Sequence, residues 1–302
     1  MHNNRKDRAS ESVSMLGKNC VVTGATSGIG KAAALELGKM GAQIILIGRN
    51  TARGRHAANR INAGRTGGRA EFIKCDLSSQ SEIRDLAKTI GRLMPTIDVL
   101  VNNAGARFDT FHKSKDGIEM TFATNHLSYF LLTELLMEYL MNAPAARIVN
   151  IAGQSHWDAH SNFQPCLRAE QYDRRFAYQQ VTLARLMFTY DLAERLRGTP
   201  ITVNAVHPGG VATRISMNNS IFSWIRHIGA HMLSRNLISP RRGADTVVWL
   251  ATANDIQGIS GKYFYQRKPI DSSPESKNKE ATRQLWNLSL RMTNLAKSKY
   301  FS

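Results

Sequence analysis

The chain has 302 residues, 42% hydrophobic and 21% charged, which suits one sizeable α/β core and excludes a disordered or fibrous protein. Its 3 cysteines are scattered, Cys20 and Cys75 in apolar runs and Cys166 in a loop, which argues against a disulfide framework or a cysteine metal site and for a reducing, cytoplasmic setting. A net charge of +17 would draw an anionic substrate, an acidic carrier protein or a membrane surface, while the absence of any nucleic-acid motif argues against DNA or RNA.

Residues 1–14 read as a disordered polar arm without the apolar centre of a signal peptide, and residues 15–302 as one domain. No apolar run is long enough to span a membrane. Strands are expected at Asn19–Thr23, Gln43–Ile47, Ala70–Cys75, Asp98–Asn102, Arg147–Ile151, Thr202–Val206 and Lys262–Tyr265. Each reads as apolar throughout, as a sheet buried on both faces requires. Helices fit between them at Gly28–Met40, Thr51–Ala63, Gln80–Leu93, Ile118–Met141, Tyr178–Leu196 and Ala244–Ala251. The alternation predicts an α/β domain with a doubly wound parallel sheet. Residues 214–239 break the rhythm with an amphipathic stretch containing Phe222, Trp224, Ile225, Ile228 and Met232, interleaved with Arg226, His227, His231 and Arg235. Residues 266–302 form a basic extension with one short helix around Leu285-Trp286. Arg49, Arg53, Arg55, Arg60, Arg65 and Arg69 crowd one stretch, read as a solvated basic face.

The first strand turns into the first helix through Thr23-Gly24-Ala25-Thr26-Ser27-Gly28-Ile29-Gly30. Glycines there let a pyrophosphate approach the backbone, and the helix N-terminus offers free amides and the positive end of its dipole. Three further motifs support a dinucleotide site. They are Cys75-Asp76-Leu77, Asn102-Asn103-Ala104-Gly105 after the fourth strand, and His207-Pro208-Gly209-Gly210-Val211-Ala212-Thr213 after the sixth. At the end of the second strand an NAD site would place a carboxylate against the ribose hydroxyls. This chain has Gly48-Arg49-Asn50 there, with Arg53 four residues beyond Arg49. Guanidinium groups suit a 2′-phosphate, so NADP(H) is the expected cofactor.

Together these motifs resemble the short-chain dehydrogenase/reductase superfamily, and Asp116-Gly117-Ile118-Glu119-Met120-Thr121-Phe122-Ala123-Thr124-Asn125-His126-Leu127 points to its retinol dehydrogenase-like branch. The resemblance spans roughly residues 17–295. It implies a Rossmann-type single domain, one nicotinamide cofactor, often a homo-oligomer, and a substrate lid at 214–239. It also implies four cooperating residues. A tyrosine exchanges a proton with the substrate oxygen, a lysine assists it and holds the ribose, a serine orients the carbonyl, and an asparagine supports a proton-relay water. Tyr178 matches the tyrosine and Asn125 the asparagine, but Thr182 stands at the lysine position and Gly153 at the serine position.

A tyrosine with its ordinary pKa of ~10 relies on a nearby cation for acid–base work worth roughly 10²–10⁴ in rate. Loss of an orienting donor costs a further factor of about 10²–10³. Candidate replacements are Arg185, on the same helical face as Tyr178 and Thr182, and Ser155 and His156, just beyond Gly153. Arg185 would reach toward the ribose or the tyrosine, or else be a surface cation. His156 would act as an acid near neutrality, or else bond to the backbone. His156, Asp158 and His160 do not make a metal site, having no further ligand. The expected function is an NADP(H)-dependent oxidoreductase acting on an apolar carbonyl/alcohol pair through an atypical site. The alternatives are a non-redox cyclase, isomerase or dehydratase on the same fold, and a catalytically silent NADP(H)-binding partner or sensor.

Overall fold

A computed structural model describes residues 13–163, 169–211, 238–296 and 300. Its core is one sheet of eight strands. In chain order they are β1 (Asn19–Thr23), β2 (Gln43–Gly48), β3 (Arg69–Lys74), β4 (Val99–Asn102), β5 (Ala146–Ile151), β6 (Ile201–Val206), β7 (Tyr263–Tyr265) and β8 (Lys268–Pro269). They lie side by side as β3-β2-β1-β4-β5-β6-β7-β8. All neighbours pair in parallel except β7 and β8. The strand order reverses between β1 and β4, and in such a sheet ligands bind outside the carboxyl ends of the strands at that point.

Two apolar layers cover the faces. One sets helices α3 (Gln80–Leu93) and α4 (Ser128–Met141), with Phe188 of α5 (Arg174–Arg195), against Val21, Leu100 and Val203. The other sets α1 (Gly28–Lys39), α2 (Thr51–Asn62) and α6 (Pro240–Thr252) against Val22, Leu46 and Val101. Successive residues of β1 thus feed opposite layers, which is why its sequence is apolar on both sides.

Three expectations need correction. Strand β3 is not apolar throughout, because it is the sheet edge and leaves Arg69, Glu71 and Lys74 exposed. Helix α5 begins at Arg174, not Tyr178, because Asp173 caps it by accepting from the Phe176 amide at 2.6 Å. The segment 118–141 is not one continuous α-helix. A short turn at Met120–Phe122 and a π-turn at Ala123–Leu127 precede α4, and the π-turn carries Asn125.

The C-terminal segment belongs to the domain. Its helix α7 (Lys279–Met292) buries Leu285 and Trp286, and Trp286 packs on Phe130 with ring centroids 5.0 Å apart. The arginines of α2 and its flanks face solvent. The lid segment 214–239 falls almost wholly outside the described residues, as do residues 1–12 of the N-terminal arm. Among the described residues, no helix is long and apolar enough to cross a membrane.

Candidate active site

The turn after β1 is built for close approach. Gly24 and Gly28 have φ of 65° and 58°, a left-handed conformation that side chains disfavour. A Cβ on Gly30 would stand 2.2 Å from Asn103 Nδ2 and 2.7 Å from the Gly24 carbonyl oxygen. The Asn103 side chain ties the two loops together by donating to the Thr23 carbonyl at 2.8 Å. Thr23, which opens the glycine motif, accepts from the Asn103 and Ala104 amides at 2.8 and 3.0 Å. Ser27 precedes α1 without capping it through its side chain, and the first turn holds no acidic residue. The amides at that N-terminus are left for an anion, so the residues present fit a dinucleotide pyrophosphate.

The other expected cofactor residues surround this turn. Thr26 lies beneath Gly48, whose Cβ would be 2.6 Å from the Thr26 Cγ2. Ile29 packs into the core under α1. Arg49 is exposed at the end of β2, while Asn50 caps α2 by accepting from the Arg53 amide at 2.9 Å. Asp76 shapes the turn after β3 by accepting from the Ser78 amide and hydroxyl, and Leu77 is buried beside it. A Cβ on Gly105 would be a tight fit, 3.1 Å from both Arg185 Nη2 and Asn125 Oδ1. Pro208 and Gly209 follow β6, with Gly209 at φ 83°. Thr213 lies outside the described residues.

Arg185 is neither a surface cation nor extended toward solvent; it is 3% exposed. Its Nε donates to the Asn125 carbonyl at 2.6 Å, and its Nη2 to Asn125 Oδ1 at 2.8 Å and the Ala104 carbonyl at 3.2 Å. Nη1 donates to the Ile151 carbonyl at 3.3 Å. The guanidinium also lies 4.5 Å from the ring centroid of Tyr129, whose hydroxyl burial pushes up to about 12. One buried charge therefore fastens the ends of β4 and β5 to the π-turn. Asn125 is equally committed: its Oδ1 also accepts from the Ala106 amide, and its Nδ2 donates to the Ala106 and Thr121 carbonyls.

Gly153 and Thr182 face each other. Among the described residues, a Cβ on Gly153 would meet only Thr182 Cγ2, at 3.6 Å, an ordinary contact. Thr182 turns its hydroxyl back to the Tyr178 carbonyl at 2.8 Å and its methyl group toward Gly153. The expectation that His156 is an acid near neutrality does not hold. The ring is fully buried, and burial pushes its pKa below the ordinary imidazole value. Nδ1 sits 2.7 Å from the Gly153 carbonyl, and a carbonyl only accepts, so Nδ1 carries the proton. The same carbonyl accepts from the Tyr263 hydroxyl at 3.1 Å. Ser155 is half-buried in the short turn Gln154–Asp158.

Tyr178 is half-buried, with the Arg107 guanidinium 3.9 Å above its ring centroid. Sequence reasoning missed Arg107. Its one signal is a charge two residues past Gly105, where the chain leaves the sheet.

A domain with this strand order, glycine turn and tyrosine-bearing helix is a nucleotide-binding α/β domain of the dehydrogenase type. A family model described as short chain dehydrogenase matches residues 18–164. Retinol dehydrogenase 14 of Mus musculus is 34% identical over 98% of this chain and 91% of that protein. Retinol dehydrogenase 12 of Mus musculus is 36% identical over 94% of this chain and 88% of that protein. Among solved structures, an uncharacterised protein from Mycobacterium paratuberculosis superposes with a TM-score of 0.73 at 28% identity, covering 94% of this chain and 96% of that one. An RhlG/NADP active-site complex from Pseudomonas aeruginosa superposes with a TM-score of 0.66 at 25% identity, covering 83% and 95%. The chain belongs to the short-chain dehydrogenase/reductase superfamily, in its retinol dehydrogenase-like branch. The site is accordingly one for a nicotinamide cofactor.

Proposed function

We propose that the protein is an NADP(H)-dependent oxidoreductase of the cytoplasm that interconverts a carbonyl and an alcohol on an apolar substrate, with Tyr178 as proton donor and Arg185 as the fixed cation of the site. The observation that carries this reading is the buried guanidinium of Arg185, bonded to both the carbonyl and the side chain of Asn125. A buried, unpaired charge is costly, and sequences keep one where it performs a task. When bound, the nicotinamide supplies or accepts the hydride. The Tyr178 hydroxyl gives a proton to the substrate oxygen or takes one from it. Arg185 favours negative charge developing there through the ring-lined interior around Tyr129.

Preference for NADP(H) is supported by Arg49 at the end of β2, by the lack of a carboxylate there, and by the NADP of the RhlG complex. Arg49→Glu should shift the ratio of NADPH to NADH affinity by roughly ten- to hundredfold toward NADH. A ratio unmoved by that change would remove Arg49 from the assignment. The facing pair Gly153 and Thr182, lacking both donor and cation, favours a second reading, a non-redox cyclase, isomerase or dehydratase that keeps the cofactor as structure. The experiment that separates them follows cofactor absorbance with a panel of aldehydes and ketones. Oxidation of NADPH coupled to alcohol formation supports the first reading, and product formed at constant absorbance supports the second.

A further inference from the structure

Arg107 is an arginine with too few acceptors. Its Nε is buried and has no hydrogen-bond partner among the described residues. No carboxylate pairs with it there: the nearby Asp109 is engaged by Arg174 at 2.9 Å. Its described contact is the face of Tyr178. The ring face attracts the cation but accepts no bond from Nε, which is left without an acceptor among the described residues.

The loop that carries Arg107 is fixed on both sides. The Ala106 amide donates to Asn125 Oδ1 at 3.0 Å, and the Phe108 carbonyl accepts from the Tyr172 hydroxyl at 2.8 Å. Thr121, in the turn just before the π-turn, shares the Tyr172 hydroxyl at 3.0 Å, so that turn and the segment leading into α5 hold the loop in place together. A pinned, partly buried guanidinium with idle donors is a ready partner for a carboxylate, which it can bind through two parallel hydrogen bonds.

We propose that Arg107 selects the substrate as an oxoacid: an apolar body with a carboxylate one or two carbons from the carbonyl that reacts at Tyr178. The spacing follows from the stack. The substrate oxygen must sit within hydrogen-bond distance of the Tyr178 hydroxyl, and Arg107 covers that same ring. A carboxylate on its donors is therefore held only a few bonds from the reacting carbon. The inference rests on Tyr178 being the proton donor. It makes Arg107 a specificity-determining residue that contacts the substrate away from the reacting atoms.

The test uses α-oxooctanoate and β-oxooctanoate, each against its methyl ester, with NADPH, in the unaltered protein and in Arg107→Met and Arg107→Lys. Two readouts are taken: the acid-to-ester ratio of kcat/KM, and calorimetric binding of α-hydroxyoctanoate and its methyl ester to the NADPH complex, where no turnover occurs. At least one acid is expected to be preferred over its ester by roughly ten- to hundredfold, the worth of one charge-assisted contact. The ratio should fall toward unity in Arg107→Met and partway in Arg107→Lys. Absence of any acid preference in the unaltered protein overturns the proposal, whatever the variants do. A preference that persists in Arg107→Met also overturns it. Acids that bind through Arg107 without any change in cofactor absorbance would uphold the selection and sink the redox reading. Turnover with no acid preference would do the reverse.

Discussion

Replacing Arg185 with methionine removes four hydrogen bonds from a charged donor and leaves the Asn125, Ala104 and Ile151 carbonyls facing an apolar side chain. Each such bond contributes about 1.5–3 kcal/mol when made, but relaxation and the regained cost of burying the charge cancel part of the sum. A net loss of about 3–5 kcal/mol is expected, large beside the roughly 5–15 kcal/mol that holds a domain together. In a thermal melt of the cofactor-free protein this should lower the midpoint by on the order of 10 °C. The loss should also be coupled to two neighbours. Gly105→Ala would press on Arg185 Nη2 and Asn125 Oδ1, both at 3.1 Å, and the Arg185 share of that cost should vanish beside Arg185→Met. Asn125→Ala combined with Arg185→Met should cost less than the sum of the singles, since they share one network. Loss of under about 1 kcal/mol in Arg185→Met, or strict additivity with Asn125→Ala, would refute the reasoning.

Gly30→Ala should abolish binding of NADPH while leaving a folded protein, because the new methyl meets Asn103 Nδ2 at 2.2 Å and forces the two loops apart; equilibrium fluorescence titration reads it. His126 should make the protein acid-sensitive. Burial, then the nearby Arg185 charge, lower its pKa to about 3, whereas the unfolded chain protonates near 6.5, so stability is lost as pH falls below about 6.5. Between pH 7 and 5 that is about 2 kcal/mol, and urea melts at both pH values should show this slope shrink in His126→Asn. Gly153→Ser should be tolerated, since among the described residues its Cβ meets only Thr182 Cγ2 at 3.6 Å, and by restoring an oxygen-orienting donor it should raise single-turnover rates by about tenfold or more.

The parallel sheet was legible because apolar runs of strand length, bounded by glycine and charged turns, alternate with helical periodicity from Asn19 to Tyr265. The cofactor turn was legible for a related reason: Gly24, Gly28 and Gly30 are demanded by backbone geometry, which leaves its mark at fixed spacing. What was hidden depends on neighbours far along the chain. The β7–β8 hairpin turns through Gln266 and Arg267, both at positive φ, without the Asn-Gly pair that usually announces such a turn. Arg185 looked solvent-bound by its charge, yet it stands among Leu183, Ala184, Leu186, Met187 and Phe188, all buried. Its acceptors come from three other elements, which no local pattern reveals. The same holds for His156, whose partner is the carbonyl of the residue standing at the expected serine position.

The central claim is that Tyr178 performs proton transfer in a redox reaction despite Thr182 and Gly153 at the positions of its expected partners. Single-turnover absorbance of pre-bound NADPH, mixed with saturating carbonyl substrate in the unaltered protein and in Tyr178→Phe, tests it most directly. A decay in the unaltered protein that vanishes in Tyr178→Phe, with NADPH affinity preserved, is the predicted result. An equal decay in both, or none in either while NADPH stays bound, would contradict it.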